Sequence, residues 1–153
     1  MPCRKIYFVL LFIATVFFGC SSDNGGIAGS NEVVYDYSLV DKNSNSTRYG
    51  QTLSPGYFAN QITLHYFGHQ NWGTCTARVG NLDALYNDLL DEGIDNVKIV
   101  AIGKSQYNNN NSNWTNGNSI PVLVDSSPNN IWTSWGASQR DLFFLNLNGD
   151  YET

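Results

Sequence analysis

The chain lacks an apolar run long enough to span a bilayer. Its longest such run, Ile6 to Phe18, is shorter than the roughly 20 residues that a transmembrane helix needs. Arg4 and Lys5 precede this run. A short apolar segment behind positive charges at the N-terminus is typical of a signal peptide, so we predict that residues 1–20 direct export and do not cross a membrane.

The end of this segment, Gly19-Cys20, resembles a bacterial lipobox, in which the cysteine carries lipid and becomes the mature N-terminus. Cys20 would then anchor the protein to a membrane of the bacterial cell envelope, on its extracytoplasmic side. Phe17-Phe18 fits the motif loosely, because Leu and a small residue usually stand there. The alternative is an ordinary signal peptide in which Cys20 is incidental.

Cysteine and histidine are scarce as well. The 153 residues contain three cysteines and two histidines. Because Cys3 leaves with the signal peptide and Cys20 takes lipid, Cys75 has no partner for a structural disulfide, although export would permit one. Two histidines and one cysteine are too few for the usual structural zinc site. We predict neither a metal nor another cofactor.

Positive charge is the third scarcity. Eight Lys and Arg stand against 13 Asp and Glu, for a formal net charge of −5, which becomes −7 when Arg4 and Lys5 are removed. An acidic chain without a Lys/Arg cluster argues against nucleic acid as a partner.

The rest of the chain divides into a tether and one domain. Ser21 to Asn31 is polar and rich in glycine, so it has nothing to bury and is predicted to be a flexible tether. Residues 32–153 have the length of a single domain. Glu32 to Val40 alternates weakly and predicts an edge strand.

The domain is organised around a stretch in which a buried strand gives way to a helix. The residue pattern of Ile62 to Phe67 predicts a strand that is buried on both faces. The polar atoms of His65 are predicted to find hydrogen-bond partners in or near the core. Cys75 lies in the first turn of the helix, where free N–H groups and the macrodipole stabilise a thiolate. The helix is predicted to stop at Gly93. Apolar residues recur along it at helical spacing, namely Val79, Leu82, Leu85, Tyr86, Leu89 and Leu90.

Further strands are predicted at Val97–Ile102, at Ile120–Asp125 and from Leu142. The first of these follows the helix and suits a βαβ unit. The Asn-rich segment Lys104 to Ser119 is predicted to be an exposed loop, with Trp114 either folding back over the domain or contacting a ligand.

Local signals predict the remaining turns. Ser127 suits an N-cap with Pro128 at the first position of a short helix that runs to Gly136. Trp132 and Trp135 on this helix are predicted to be core residues. Asn148-Gly149 predicts a type I′ hairpin turn.

The order and wording of these segments resemble the thioredoxin superfamily and, more narrowly, the N-terminal domain of selenoprotein P and its bacterial redoxin-like relatives. The resemblance covers most of the domain, from about Tyr37 onward, and implies an α/β, thioredoxin-like fold with a central mixed sheet flanked by helices. The matching segments are Leu82-Asp83-Ala84-Leu85, Asp91-Glu92-Gly93, Ser119-Ile120-Pro121-Val122, Ile131-Trp132-Thr133, and Arg140-Asp141 ahead of an apolar strand that ends at Asn148-Gly149.

The resemblance also implies a redox site of the CxxC type, written here Trp72-Gly73-Thr74-Cys75. Trp72 stands where the family has its cysteine or selenocysteine nucleophile, and Cys75 stands at the resolving position. Arg140 occupies the place of the cis-proline of many thioredoxins, where it would bind a carboxylate, stabilise a thiolate or form a surface ion pair with Asp141. His69 would either tune the site by its charge or remain a solvated loop residue.

Trp72 leaves two functions open. Tryptophan cannot attack a disulfide, and a buried Cys75 alone is a poor nucleophile, which predicts a redox-inactive binding or scaffold lipoprotein. Selenocysteine is encoded by UGA, which some translation tables render as tryptophan. A misread selenocysteine at position 72 would restore a selenol–thiol pair for reducing a disulfide protein or a peroxide.

The resemblance finally implies a C-terminal part that is not seen in this sequence. A thioredoxin sheet continues into a further strand and a final helix, whereas only Asp150 to Thr153 follow Asn148-Gly149. We therefore expect a chain truncated near Thr153 and a partly exposed apolar sheet face beside Leu142 to Leu145.

Overall fold

A five-stranded mixed sheet organises the computed structural model, which describes residues 33–152. The predicted signal peptide, the lipid at Cys20 and the tether therefore lie outside the described residues. The strands in chain order are β1 (Leu39–Val40), β2 (Thr52–Leu53), β3 (Ile62–Gly68), β4 (Val97–Lys104), β5 (Val122–Asp125), β6 (Leu142–Leu145) and β7 (Tyr151–Glu152). The large sheet has the order β5-β4-β3-β6-β7, and β1 pairs with β2 in a separate small sheet.

Three α-helices and two short 3₁₀ segments connect these strands: α1 (Gly73–Asp91), α2 (Ser112–Thr115), α3 (Ile131–Ser134), Pro55–Phe58 and Ser105–Asn110. Helix α1 connects β3 to β4, which are parallel, and β5 continues the parallel order. Strand β6 runs antiparallel to β3, and β7 antiparallel to β6. The predicted βαβ unit and the mixed sheet flanked by helices are confirmed.

Helix α1 ends as its sequence predicts. Glu92 is the C-cap, and Gly93 adopts the left-handed conformation with φ +80°. The N–H of Gly93 donates to the carbonyl of Leu90, and that of Ile94 to the carbonyl of Leu89. This pair of bonds is the Schellman motif, which satisfies carbonyls that the helix end leaves free and favours glycine at the position of Gly93.

The strands β3, β4 and β5 are buried on both faces, as expected for apolar strands in a thioredoxin-like fold. Trp132 and Trp135 belong to the core, as predicted. On the α1 face the core consists of Leu64, Tyr66, Cys75, Val79, Ile99, Ala101, Trp114, Ile120 and Val122. On the opposite face it consists of Tyr37, Leu39, Leu53, Phe58, Phe67, Val100, Ile102, Leu123, Ile131, Trp132, Trp135, Phe143 and Leu145.

The Asn-rich segment corrects the prediction of an exposed loop. It forms the 3₁₀ segment at Ser105–Asn110 and then α2, which buries Trp114 completely against the sheet. Trp114 therefore covers the domain and is not available to a ligand. Polar composition alone hides such a segment, because a single large aromatic side chain supplies the burial that anchors it.

The start of α3 also differs from its prediction. The helix begins at Ile131, and its free N–H groups at Ile131 and Trp132 donate to the carboxylate of Asp125 at 3.0 and 3.1 Å. Ser127 is not the cap, since Asn130 occupies that position with φ +47°. A side chain at the end of β5 thus does what the local sequence assigned to Ser127.

Two predictions at the sheet edges need revision. The turn between β6 and β7 has positive φ only at Gly149, and its N–H donates to the carbonyl of Asn146 at 2.9 Å. This is a three-residue loop with a glycine bulge, and not a type I′ turn. At the other end of the chain, only Leu39–Val40 of the predicted Glu32–Val40 edge strand is extended in a ladder, and it lies outside the main sheet.

Strand β6 leaves two apolar side chains exposed on the face that carries α1. Leu142 pairs with Tyr66, and Phe144 with Leu64. Because directly opposed residues project to the same face, Leu142 and Phe144 belong to the α1 side. They are 38% and 43% exposed.

Candidate redox site

Residue 72 lies at the start of α1 with its side chain accessible. Trp72 is the N-cap, in extended conformation, and its carbonyl accepts the N–H groups of Cys75 at 2.9 Å and Thr76 at 3.0 Å. Its own N–H donates to the carbonyl of His69 at 3.1 Å. The side chain is 47% exposed. Any group at position 72 therefore meets solvent at the positive end of a 19-residue helix.

Cys75 lies one turn further along the helix and is fully buried. It is the one cysteine within the described residues, and its thiol is free. Its sulfur accepts a hydrogen bond from the Nε2 of Gln139 at 3.5 Å. The structure thus places an accessible position 72 ahead of a shielded Cys75.

The surroundings of Cys75 favour its thiolate. Burial raises the pKa of the thiol, but four groups oppose it: the hydroxyl of Tyr66, the amide of Gln139, the backbone N–H of His69 and the guanidinium of Arg140. Together they hold the pKa below its ordinary value. Cys75 is therefore chemically disposed to ionise although it is sterically shielded.

His69 is packed among aromatic rings and is not a solvated loop residue. Its ring centroid lies 5.4 Å from that of Trp72, 4.9 Å from that of Tyr107 and 5.6 Å from that of Trp132. Both ring nitrogens are buried and have no hydrogen-bond partner among the described residues. Burial, followed by the charge of Lys104, lowers the pKa of His69. The imidazole is thus neutral at pH 7, and it contacts the site through packing and not through charge.

Arg140 is held beside the site by its backbone. Its N–H donates to the carbonyl of Phe67 at 2.7 Å, and it adopts φ +77°, which is rare for a residue with a side chain. The guanidinium is exposed and acts on Cys75 through its charge. The carboxylate of Asp141 accepts the N–H of Ser138 at 2.7 Å. Asp141 is thus bonded within its own loop, and the charge of Arg140 favours the Cys75 thiolate.

Three residues near the site escaped the sequence analysis. Tyr66 shares the α1 face of β3 with Leu64, so strand alternation could have placed it near Cys75. Gln139 carries no sequence signal, because its position depends on the fold of its loop. Gln70 is fully buried and joins the loop before α1 to the end of β4 through Lys104.

Between residues 33 and 152, no three His, Cys, Asp or Glu side chains come together as metal ligands. No helix in that range has the length and apolar character needed to cross a bilayer.

The thiol of Cys75 should react slowly in the folded protein. We expect a bulky disulfide reagent to modify it on the order of 100-fold more slowly than after denaturation, since access requires an opening that costs about 2.8 kcal/mol. The measurement is the rate of modification with and without denaturant, using the full chain with Cys3→Ser and Cys20→Ser. Equal rates in the two states would contradict the buried position of Cys75.

This chain matches known proteins in structure and not in sequence. No protein-family model matches it, and no curated protein sequence does either. Among solved structures, StoA from Bacillus subtilis aligns with a TM-score of 0.59 and 18% identity, over 79% of this chain and 87% of its own. The thioredoxin domain of a thiol-disulfide oxidoreductase from Bacteroides vulgatus aligns with a TM-score of 0.59 and 12% identity, over 80% and 85%.

Copper-bound ScoI from Bradyrhizobium japonicum aligns equally well. Its TM-score is 0.60 at 13% identity, over 77% of this chain and 85% of its own. Identities this low establish the fold alone. The strand order β5-β4-β3-β6-β7, the βαβ unit around α1 and these alignments agree with the prediction made from the sequence. This chain has the thioredoxin fold.

Proposed function

We propose that this protein is an exported, lipid-anchored oxidoreductase of the selenoprotein P type that reduces disulfide proteins or peroxide through a selenol–thiol pair. In this proposal residue 72 is a selenocysteine misread as tryptophan, and Cys75 is the resolving thiol. One observation carries the proposal. Position 72 is exposed at the N-cap of α1, and a buried Cys75 with a lowered thiol pKa follows one turn later.

This geometry suits a two-step exchange. A selenolate at position 72 attacks one sulfur of a substrate disulfide, and the other sulfur leaves as a thiolate. The Cys75 thiolate then attacks the selenium, and the first substrate sulfur leaves. The substrate disulfide gains two electrons and becomes two thiols. The groups at positions 72 and 75 lose those two electrons and become a selenenylsulfide. The helix N-terminus stabilises the anion at both stages.

The surrounding residues would have supporting roles. Arg140 contributes positive charge beside Cys75, which favours the thiolate needed for the second step. His69 forms an aromatic wall with Trp132 on one side of position 72. Lys104, whose Nζ lies 4.3 Å from the centre of the Trp132 ring, adds a cation to that wall.

Export and lipid attachment at Cys20 rest on the N-terminal sequence. The apolar segment ending at Gly19-Cys20 and the polar tether that follows are the features that support them. A lipid at Cys20 would hold the redox domain at an envelope membrane, on its extracytoplasmic side, within reach of exported disulfide proteins.

A second function follows if residue 72 is tryptophan. The indole is accessible, and its ring meets that of His69 perpendicularly with centroids 5.4 Å apart. An exposed Trp supported by packing is a suitable anchor for a protein contact. The protein would then be a redox-inactive binding or scaffold lipoprotein with the thioredoxin fold.

The chemical identity of residue 72 decides between the two functions. We expect the protein purified from its natural host to contain selenium, and the peptide spanning residue 72 to have the mass for selenocysteine. The corresponding codon should be UGA with a selenocysteine insertion element downstream. A tryptophan mass at this peptide, together with a UGG codon, would overturn the oxidoreductase proposal in favour of the scaffold. The mass of the Cys20 peptide tests lipid attachment separately.

A further inference from the structure

The loop before β6 is held against the end of β3 by short backbone hydrogen bonds. Phe67 donates its N–H to the carbonyl of Asp141 at 3.0 Å and accepts that of Arg140 at 2.7 Å. Within the loop, the Asp141 carboxylate accepts the N–H of Ser138 at 2.7 Å. The residue between Ser138 and Arg140 therefore has little freedom of position.

That residue is Gln139, and its side chain reaches across to α1. Its Nε2 lies 3.5 Å from the Sγ of Cys75, with the donor directed at the sulfur. Gln139 is half-buried and Cys75 fully buried. Water competes only weakly with a hydrogen bond in such surroundings. The bond therefore retains more of its strength than a hydrogen bond at the surface.

The other groups around the sulfur are one hydroxyl, one backbone N–H and one cation. Tyr66 on β3 faces Cys75 with its hydroxyl, which also favours the thiolate. The backbone N–H of His69 and the guanidinium of Arg140 act from the loops, and Arg78 on α1 acts on Tyr66. Gln139 is thus the amide side chain that donates to the sulfur.

We propose that Gln139 stabilises the Cys75 thiolate by donating a hydrogen bond from its side-chain amide to the sulfur. An amide suits this role because it donates without carrying a charge or a titrating proton. A leucine in its place would keep the volume and remove the donor. A glutamate would replace the donor by a negative charge.

The inference deepens the proposed function, on which its use in exchange rests. When Cys75 attacks the group at position 72, its thiol proton must first leave, and Gln139 stabilises the resulting anion. In the reverse direction Cys75 is the leaving thiolate, and the same hydrogen bond stabilises it as the bond to position 72 breaks. Both directions benefit from one donor at a fixed place.

The test measures the ionisation of Cys75 in the folded chain. In the full chain with Cys3→Ser and Cys20→Ser, Cys75 is the sole thiol, and the NMR chemical shift of its Cβ reports the thiolate directly. At the pH where half of the parent is ionised, we expect Gln139→Leu to lower the ratio of thiolate to thiol by roughly threefold to tenfold. This is below the usual range for a hydrogen bond to a charged group, because the contact is long. Gln139→Glu should lower the ratio further.

A matched control uses Gln106, an exposed glutamine in the 3₁₀ segment Ser105–Asn110. Gln106→Leu makes the same chemical change and should leave the titration as in the parent. A second readout uses chains that also carry Trp72→Cys, in which a disulfide can form between positions 72 and 75. Because Gln139→Leu makes the Cys75 thiolate less stable, it should make this disulfide harder to reduce.

Unchanged Cys75 titrations in both Gln139 variants, with folding intact by their NMR spectra, would overturn the assignment to Gln139. A Gln139→Leu chain that fails to fold leaves Gln139→Glu, which has the same shape, as the deciding variant. These outcomes do not depend on whether residue 72 is tryptophan or selenocysteine. The identity of residue 72 tests the proposed function alone.

Discussion

Trp72→Cys is expected to turn the chain into a disulfide reductase. The new sulfur would lie at the N-cap of α1, exposed, one helical turn ahead of Cys75. This is the spacing at which the two sulfurs of a CxxC site reach each other, and the helix N-terminus lowers the pKa of the first. We therefore expect a disulfide between positions 72 and 75 after mild oxidation.

We expect the rate of insulin reduction to rise by at least about 100-fold over the parent. This is a modest expectation, because deleting the nucleophile of a serine protease lowers its kcat by roughly 10⁶-fold. The disulfide is measured by mass and by loss of free thiol, and activity by turbidity in the presence of a thiol reductant. Trp72→Ser is the matched control, because it removes the indole without supplying sulfur. A folded Trp72→Cys chain that forms no disulfide would show that position 72 is not the nucleophile position.

The largest expected effect on stability comes from Gly103→Ala. Gly103 lies in β4, and a Cβ built there would overlap the side-chain amide of Gln70. That amide is fully buried and makes three bonds, to the carbonyl and the N–H of Lys104 and to the side chain of Asn111. The alanine must therefore push a satisfied polar group out of its place.

Overpacking and the lost hydrogen bonds together should destabilise the fold by about 3 kcal/mol. For a domain of this size, that loss lowers Tm by about 10 °C. Calorimetry or denaturant titration measures the change.

Gly73→Ala is the matched control for this substitution. Nothing lies within 4 Å of a Cβ at Gly73, which occupies the first turn of α1 with an ordinary φ. We expect no loss of stability there and a gain of up to about 1 kcal/mol. In a Gln70→Ala background, Gly103→Ala should cost much less, because the overlapping group is gone. A Gly103→Ala chain as stable as the parent would rule out this account of Gln70.

The sequence by itself determined the elements whose signals are local. Alternating apolar side chains from Ile62 to Phe67 and helical spacing after Gly68 predicted β3 and α1. Gly93 predicted the end of the helix, where its positive φ allows the Schellman bonds. The distance of three residues between Trp72 and Cys75 also required no structure, since one helical turn separates them wherever a helix forms.

The tertiary structure decided contacts between segments far apart in the chain. Asp83 in α1 accepts the N–H groups of Ser119 and Ile120 at 2.5 and 2.9 Å, which joins two segments of the family resemblance that the sequence shows only separately. The burial of Trp114 and the capping of α3 by Asp125 have the same character. No periodicity within one segment encodes them, because each partner is supplied by another element.

The chemistry of Cys75 depends on the same kind of contact. The sequence shows that Cys75 lies near the start of a helix and that few cysteines are present. It does not show the contact with Gln139, which lies 64 positions further along the chain. That amide meets the sulfur only because the loop before β6 is bonded to Phe67 at the end of β3. Local sequence therefore sets where a thiol can stand, whereas the packing of distant loops sets its pKa, since ionisation responds to every donor and charge brought within a few ångströms.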